Sequence, residues 1–430
     1  MIRRSRLASG AATAALILTV AGVVAGCGQG AGAGAGSGAT ASAGSTGTVE
    51  TAGPTSGRTP ASGVAKKRPV WLDTVQMVSP TAGWALLWTS NPARPNGGAL
   101  ELARTADGGK TWTGVTPEAA ASSLKNGDVL LKAESSQRAW LVVAPYSGRF
   151  STDTLVFGTG NAGASWHESG PVRGSQPVAI DFVSARSGWL LDSMGAAMNQ
   201  NPVRLYRSTD GGARWSLIAR SATSEAGQPS SSGLPVYCDK DGMSFSTAGE
   251  GWITGDCFSL ADAVLESTDG GTHWASPSLP VSGLLCQTGG CEVPAPQFAG
   301  RTTFLEICAD PSAAYLLVSA NGGAAWKTER LPAGAGPYPR LQFFSANDAI
   351  AVSSGSQGVI ERDFYLTTNG GRSWRAVRQG GRFGTGTSFD FVSRGTGFAW
   401  NDGIEGSVPP RLFTTTDSGR SWRVVTPVLS

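Results

Sequence analysis

The sequence predicts an all-β fold: seven similar four-stranded units closing into a single seven-bladed β-propeller. Three observations carry this expectation. First, Ser/Thr-x-Asp/Asn-x-Gly-x-x-Trp occurs seven times, at Thr105–Trp112, Thr159–Trp166, Ser208–Trp215, Ser267–Trp274, Ser319–Trp326, Thr367–Trp374 and Thr415–Trp422. Second, the tryptophans of these motifs lie 48 to 59 residues apart, a spacing that marks stacked supersecondary units. Third, a second landmark, Ser-x-x-x-Gly-Trp or a degraded form of it, stands 22 to 28 residues before the motif tryptophan: Ser79…Gly83-Trp84, Ser135…Ala139-Trp140, Ser184…Gly188-Trp189, Ser246…Gly251-Trp252, Ser345…Ile350 and Ser393…Gly397-Phe398. Blade five keeps only a trace of it, around Phe298 to Phe304. Two turns per period, each flanked by alternating strands such as Ile180–Val183, Trp189–Leu191 and Val203–Arg207, give four antiparallel strands per blade.

Each residue of the first motif has a local role. Asp107, Asn161, Asp210, Asp269, Asn321, Asn369 and Asp417 occupy a slot where a short side chain accepts hydrogen bonds from backbone N–H groups just ahead. Three of the seven are Asn, so the slot needs an acceptor and not a charge. The following Gly supplies a positive φ. Trp112, Trp166, Trp215, Trp274, Trp326, Trp374 and Trp422 then open the fourth strand and lay a large apolar ring back over the turn.

In chain order, residues 1–27 stand apart from the fold. Arg3, Arg4 and Arg6 precede an apolar run, Ala11 to Ala25, that ends Val24-Ala25-Gly26-Cys27. This resembles a bacterial signal peptide with a lipobox, which implies lipidation of Cys27 and an anchor on the extracytoplasmic face of the cell membrane. Residues 28–65 are nearly all Gly, Ala, Ser and Thr and read as a flexible tether. Residues 66–430 are the propeller. Lys66-Lys67-Arg68 reads as a solvated domain edge. Trp71 is a candidate edge strand, and Trp422–Val428 is expected to complete blade seven without help. A formal net charge of +3 gives no case for nucleic acid, so membrane contact is expected through the lipid alone.

Five cysteines follow Cys27: Cys238, Cys257, Cys286, Cys291 and Cys308. Cys238 and Cys257 flank the first hairpin of blade four, and Cys291 and Cys308 that of blade five. The expected pairs are Cys238–Cys257 and Cys291–Cys308, with Cys286–Cys291 as the competing arrangement. The spacings make no zinc ligand set, so no metal and no cofactor is expected.

No catalytic set is recognisable. A polar series stands three residues before the landmark Ser, on the strand that lines the central channel: Gln76, Lys132, Asp181, Gln342 and Asp390, with Met243 in blade four and Gln297 the nearest candidate in blade five. Such a ring binds a ligand in the channel or satisfies backbone groups between adjacent blades. The long loops Thr89–Gly98, Gln228–Asp241 and Ser276–Pro296, with Arg94, Tyr146, Arg149 and Tyr338 in loops, are the other binding candidates.

The sevenfold turn resembles the Asp-box, or BNR, repeat. Together with the Gly-Trp turn it resembles the seven-bladed propellers of the photosystem II assembly and stability factor type (WD40/YVTN/BNR-like), over about 69–430. That resemblance implies a non-catalytic scaffold with an unnamed protein or glycan partner. The alternative is an Asp-box glycoside hydrolase. A sialidase-like enzyme would need an arginine triad and an early Arg-Ile-Pro, and Arg68, Arg94 and Arg104 lie in no such motif. A xyloglucanase-like enzyme has paired propellers, and here the acids to check are Asp181 and Asp390.

Overall fold

The computed structural model describes residues 68–90, 100–125, 127–147, 150–151, 153–174, 176–195, 200–221, 232–257, 259–280, 291–310, 313–336, 339–353, 362–377, 383, 387–401 and 411–430. They form an all-β propeller of seven four-stranded blades. Within a blade the strands pair antiparallel in sequence order, as in blade three: Gln176–Phe182, Gly188–Ser193, Val203–Ser208 and Ser216–Arg220. Blade four is the thinnest, its fourth strand reduced to a bridge between Glu266 and Ala275. The one α-helix among the described residues is a single turn, Leu260–Ala263, capped by Ser259.

The first strands are the hub. That of blade one, Trp71–Met77, touches those of blade two, Gly127–Ala133, and of blade seven, Thr387–Phe391. The core is divided among the boundaries, with one apolar cluster at each of the seven. Between blades three and four, for example, Trp189, Leu191 and Leu205 pack on Met243, Phe245 and Ile253. A blade therefore has no private core and is stable only between neighbours. The landmark aromatics carry three boundaries by flat stacking: Trp140 on Phe182 and Trp189 on Phe245 at 3.7 Å, and Phe304 on Phe343 at 3.5 Å.

The two landmarks of each blade meet at one end of the sheet. In every blade an Asp-box amide donates to a carbonyl of the Gly-Trp turn: Gly108 to Thr81, Ala162 to Gln137, Gly211 to Arg186, Gly270 to Gly249, Gly322 to Arg301, Gly370 to Asn347 and Ser418 to Gly395. The long connections leave from the opposite end.

Ring closure differs from the expectation in two places. Blade seven takes only Arg423–Val425 as its fourth strand. The chain then crosses to blade one, where Val428–Leu429 runs parallel to Thr111–Trp112 and pairs on its other side with Arg68–Pro69. Leu429 is buried in the cluster between blades seven and one, and that burial is the reason the last residues leave blade seven. Trp71 is not an edge strand: it opens the hub strand of blade one, and Arg68–Pro69 is the added edge.

A second departure joins blades four and five. Cys291–Glu292 inserts between Gly251–Cys257 and Thr302–Asp310, fusing both blades into one eight-stranded sheet. Cys238 and Cys257 form a disulfide with Cα atoms 4.9 Å apart. The backbone of Cys291 lies opposite Cys257, and Glu292 opposite Cys308. The side chains of Cys291 and Cys308 fall outside the described residues, as do Cys286, Arg94, Tyr338 and everything before Arg68, Cys27 included. No helix among the described residues is long and apolar enough to cross a membrane.

Candidate functional site

The Asp-box residues turn inward onto their own loop. In blade one, Asp107 Oδ1 accepts the Thr105 hydroxyl at 2.9 Å and the Thr111 amide at 2.9 Å, and Oδ2 accepts the Thr111 hydroxyl at 2.6 Å. In blades two and six an Asn fills the slot by reversing that last bond: Asn161 Nδ2 donates to Ser165 Oγ and Asn369 Nδ2 to Ser373 Oγ, each at 2.8 Å. Asp269 is the most strongly held of the acids. Desolvation raises its pKa, but bonds from the backbone and ring of His273, and from Ser267 and Thr272, outweigh this and bring it to about 2. The motif indoles divide. Trp112, Trp274 and Trp422 donate to the glycine carbonyl of their own turn, whereas Trp166 donates to Val115 of the preceding blade.

The polar series of the hub strands bridges blades. Gln76 Nε2 donates to the Leu131 carbonyl at 2.7 Å while its Oε1 accepts the Ala133 amide at 2.8 Å. Gln297 makes the same pair with Leu341 and Phe343, at 2.8 and 2.9 Å. Gln342 donates to the Phe391 carbonyl at 2.6 Å and accepts its amide at 2.9 Å. Lys132 reaches Asp181 at 2.7 Å, and Asp181 Oδ2 accepts the Phe245 amide at 2.8 Å. Asp390 Oδ2 accepts the Met77 amide at 2.7 Å, closing the circle from blade seven to blade one. Burial raises the Asp390 pKa, opposed by that amide and by the charge of Arg340. Burial in turn lowers Arg340 to about 10.

Blade four needs a correction. Its equivalent ring position is Ser244, which faces Trp252 as Gln76 faces Trp84, and not Met243. The turn there has the same length as in blade one, with Phe245 opposite Gly251 as Met77 is opposite Gly83, but Ser246 is not the landmark hydroxyl. Thr247, and not Ser246, supplies the hydroxyl that caps the turn, binding the amides of Gly249 and Glu250 as Ser79 binds those of Thr81 and Ala82. At the boundary from blade four to blade five, the inserted Cys291–Glu292 strand makes the connection through its backbone, and the Val293 amide bonds to Gly255.

Two charged clusters were missed by sequence reasoning. The first lies where Cys291–Glu292 joins blade four. Asp241 is the bulged residue of the hub strand, between Lys240 and Gly242. Its pKa is pushed up to about 8, by desolvation first and then by the charges of Glu292, Asp239 and Asp256. Its side chain keeps an open surface while protein mass surrounds it, so solvent screens the effect. The buried neighbour Lys240 donates to the carbonyls of Asn201, Tyr237 and Cys238 at 3.2, 2.6 and 3.1 Å. Among the described residues no group of acids, cysteines and histidines is arranged to hold a metal ion.

The second is a cavity of about 330 Å³ between the Asp-box turns of blades six and seven. Arg375, Arg394 and Arg420 line it, with the hydroxyls of Thr368, Ser373 and Ser418. The half-buried Trp374 indole and Leu366 complete the wall. Arg394 is held by Asp348 at 3.2 Å, an exposed pair that is worth little in water. In sequence these arginines are scattered over 46 positions, in three different turns and strands, and only the meeting of two blades brings them together.

No family profile and no functionally described protein matches this chain. Solved structures similar to it include the GH74 xyloglucanase from Xanthomonas campestris, at 13% identity and a TM-score of 0.48, over 85% of this chain and 55% of that one. A PL25 polysaccharide lyase, an ulvan lyase, is similar at 6% identity and a TM-score of 0.46, over 83% and 96%. The endosialidase of phage phi92 is similar at 9% identity and a TM-score of 0.37, over 84% and 67%. This chain thus spans about half the length of the xyloglucanase. At these scores the likenesses carry no argument about ligand or reaction.

Proposed function

We propose that this chain is a non-catalytic binding propeller, carried outside a bacterial membrane on the lipidated Cys27 and the 28–65 tether, that holds a partner and does not transform it. The observation that carries the reading is the commitment of the two acids best placed for glycosidase chemistry. Asp181 holds the Lys132 ammonium on one oxygen and the Phe245 amide on the other. Asp390 holds the Met77 amide on one oxygen, and the Gln342 amide group contacts the other at 3.4 Å. A nucleophile or general acid must direct an oxygen at substrate. Releasing either carboxylate for that task would strand a backbone amide at a blade boundary.

The experiment is incubation of the full-length chain with polysaccharides and oligosaccharides, followed by separation of bound and released sugars. The reading expects recovery of any bound glycan uncleaved. Release of products that Asp181→Asn or Asp390→Asn abolishes, in variants with unchanged circular dichroism, would replace it with the hydrolase alternative.

A further inference from the structure

We propose that the cavity between the Asp-box turns of blades six and seven binds a carboxylate- or sulfate-bearing sugar unit of an acidic polysaccharide. The inference deepens the binding reading above and rests on it. Three guanidinium groups line the cavity and no carboxylate does. The side chains of Arg375 and Arg420 make no ion pair or hydrogen bond among the described residues, and the Arg394 side chain has its exposed contact with Asp348. Guanidinium groups grip planar and tetrahedral oxyanions with paired N–H donors.

The turn chemistry favours the same ligand. Asn369 stands where four of the seven boxes carry Asp. It donates to Ser373 Oγ, so the Ser373 hydroxyl keeps its own hydrogen to donate into the cavity. In blade seven Asp417 accepts the Ser421 hydroxyl instead, and its carboxylate is engaged within its own loop by the amides of Ser421 and Arg420. Ser418 also lines the cavity. It holds a φ of 68° at a position where five of the seven boxes carry glycine, so a hydroxyl is placed at the cavity wall despite backbone strain.

Size and lining select a sugar. A volume of about 330 Å³ lies at the small end of ligand pockets, typically about 300–1,000 Å³, and accepts one pyranose ring. Hydroxyls suit its edge, the Trp374 indole suits its C–H face, and the guanidinium groups take its acid. An apolar anchor side chain or an acyl chain finds only Leu366 and part of that indole.

The test is calorimetric titration of the full-length chain with four probes: a galacturonate oligomer, a heparin-derived sulfated oligomer, a neutral galactose oligomer and poly-glutamate. The expected result is saturable binding of at least one acidic oligomer, ten-fold or more tighter than the neutral one. Which acidic oligomer binds separates carboxylate from sulfate. Arg375→Ala/Arg420→Ala should weaken it at least ten-fold. Ser418→Gly should weaken it several-fold with an unchanged or raised Tm, which separates lost contact from lost fold. Arg330→Ala, on the exposed edge of blade five, should leave it unaltered. Absence of saturable binding by both acidic oligomers, undiminished binding in the cavity variants, or equal binding of poly-glutamate would overturn the proposal. Intact capture of another glycan, insensitive to these variants, would sink the cavity and leave the binding reading standing. Cleavage of the oligomer would sink that reading itself.

Discussion

Ala162 holds a left-handed backbone at φ 61° in the Asp box of blade two, where blades one, three, four, five and six carry glycine. An alanine in this region is strained by about 1–2 kcal/mol relative to its ordinary conformations. Ala162→Gly relieves that strain and in exchange loosens the unfolded chain. The expected net effect is a gain of up to about 1 kcal/mol, read as a higher denaturant midpoint with an unchanged slope. At this scale the sequence was informative about the Asp slot and less so about the residue after it. The Asp/Asn exchange said that an acceptor matters, and the hydroxyl partners at Thr111, Ser165, Ser373 and Ser421 show how both side chains satisfy the loop.

Asp241 supplies a pH dependence. Its folded pKa of about 8 lies above the ordinary value of 3.8, so the folded state holds the proton more tightly. Stability therefore falls as pH rises from about 4 to about 8, because the unfolded chain loses the proton first. Asp241→Asn should match the parent in urea unfolding at pH 4 and exceed it at pH 9. Equal midpoints at both values would show that solvent screens the site fully.

At the scale of the element, the unit of construction is the boundary between blades. A glutamine in a hub strand acts on the next blade as one more backbone pair. Gln76→Ala leaves the Leu131 carbonyl and the Ala133 amide without their partner, at an expected cost of about 1–3 kcal/mol. Hydrogen exchange should localise the change to the amide of Ala133. The sequence displayed this polar series because each member sits between apolar neighbours, but it could not say which way the side chains turn. That depends on the stagger between blades, which no local pattern records. The miss at Met243 has a local origin: Ser246 and Thr247 both offer a hydroxyl in a turn of ordinary length, counting from Ser246 shifts the series by one, and only the strand register reveals it.

Across the whole molecule, seven blades were legible because a fifty-residue repeat survives loop variation. The closing contact and the arginine cavity were not, since each depends on segments hundreds or tens of residues apart. Val428–Leu429 fastens the C-terminal end to blade one, and the Leu429 side chain is buried between blades one and seven. Leu429→Ala should cost about 2–4 kcal/mol by leaving a void there. Calorimetry should find a lower Tm, and exchange should open first at Thr111–Gly114. The fused sheet of blades four and five is the other whole-ring device, replacing the missing amide side chain at Ser244 with a strand.

Asp181 and Asp390 hold neighbouring blades of the ring together. The most direct test is hydrogen exchange at the Met77 amide in Asp390→Ala, measured beside urea unfolding. The expected result is selective loss of protection at Met77 and a stability loss of about 1–3 kcal/mol. Unchanged protection and unchanged stability would contradict it and return Asp390 to the candidates for chemistry.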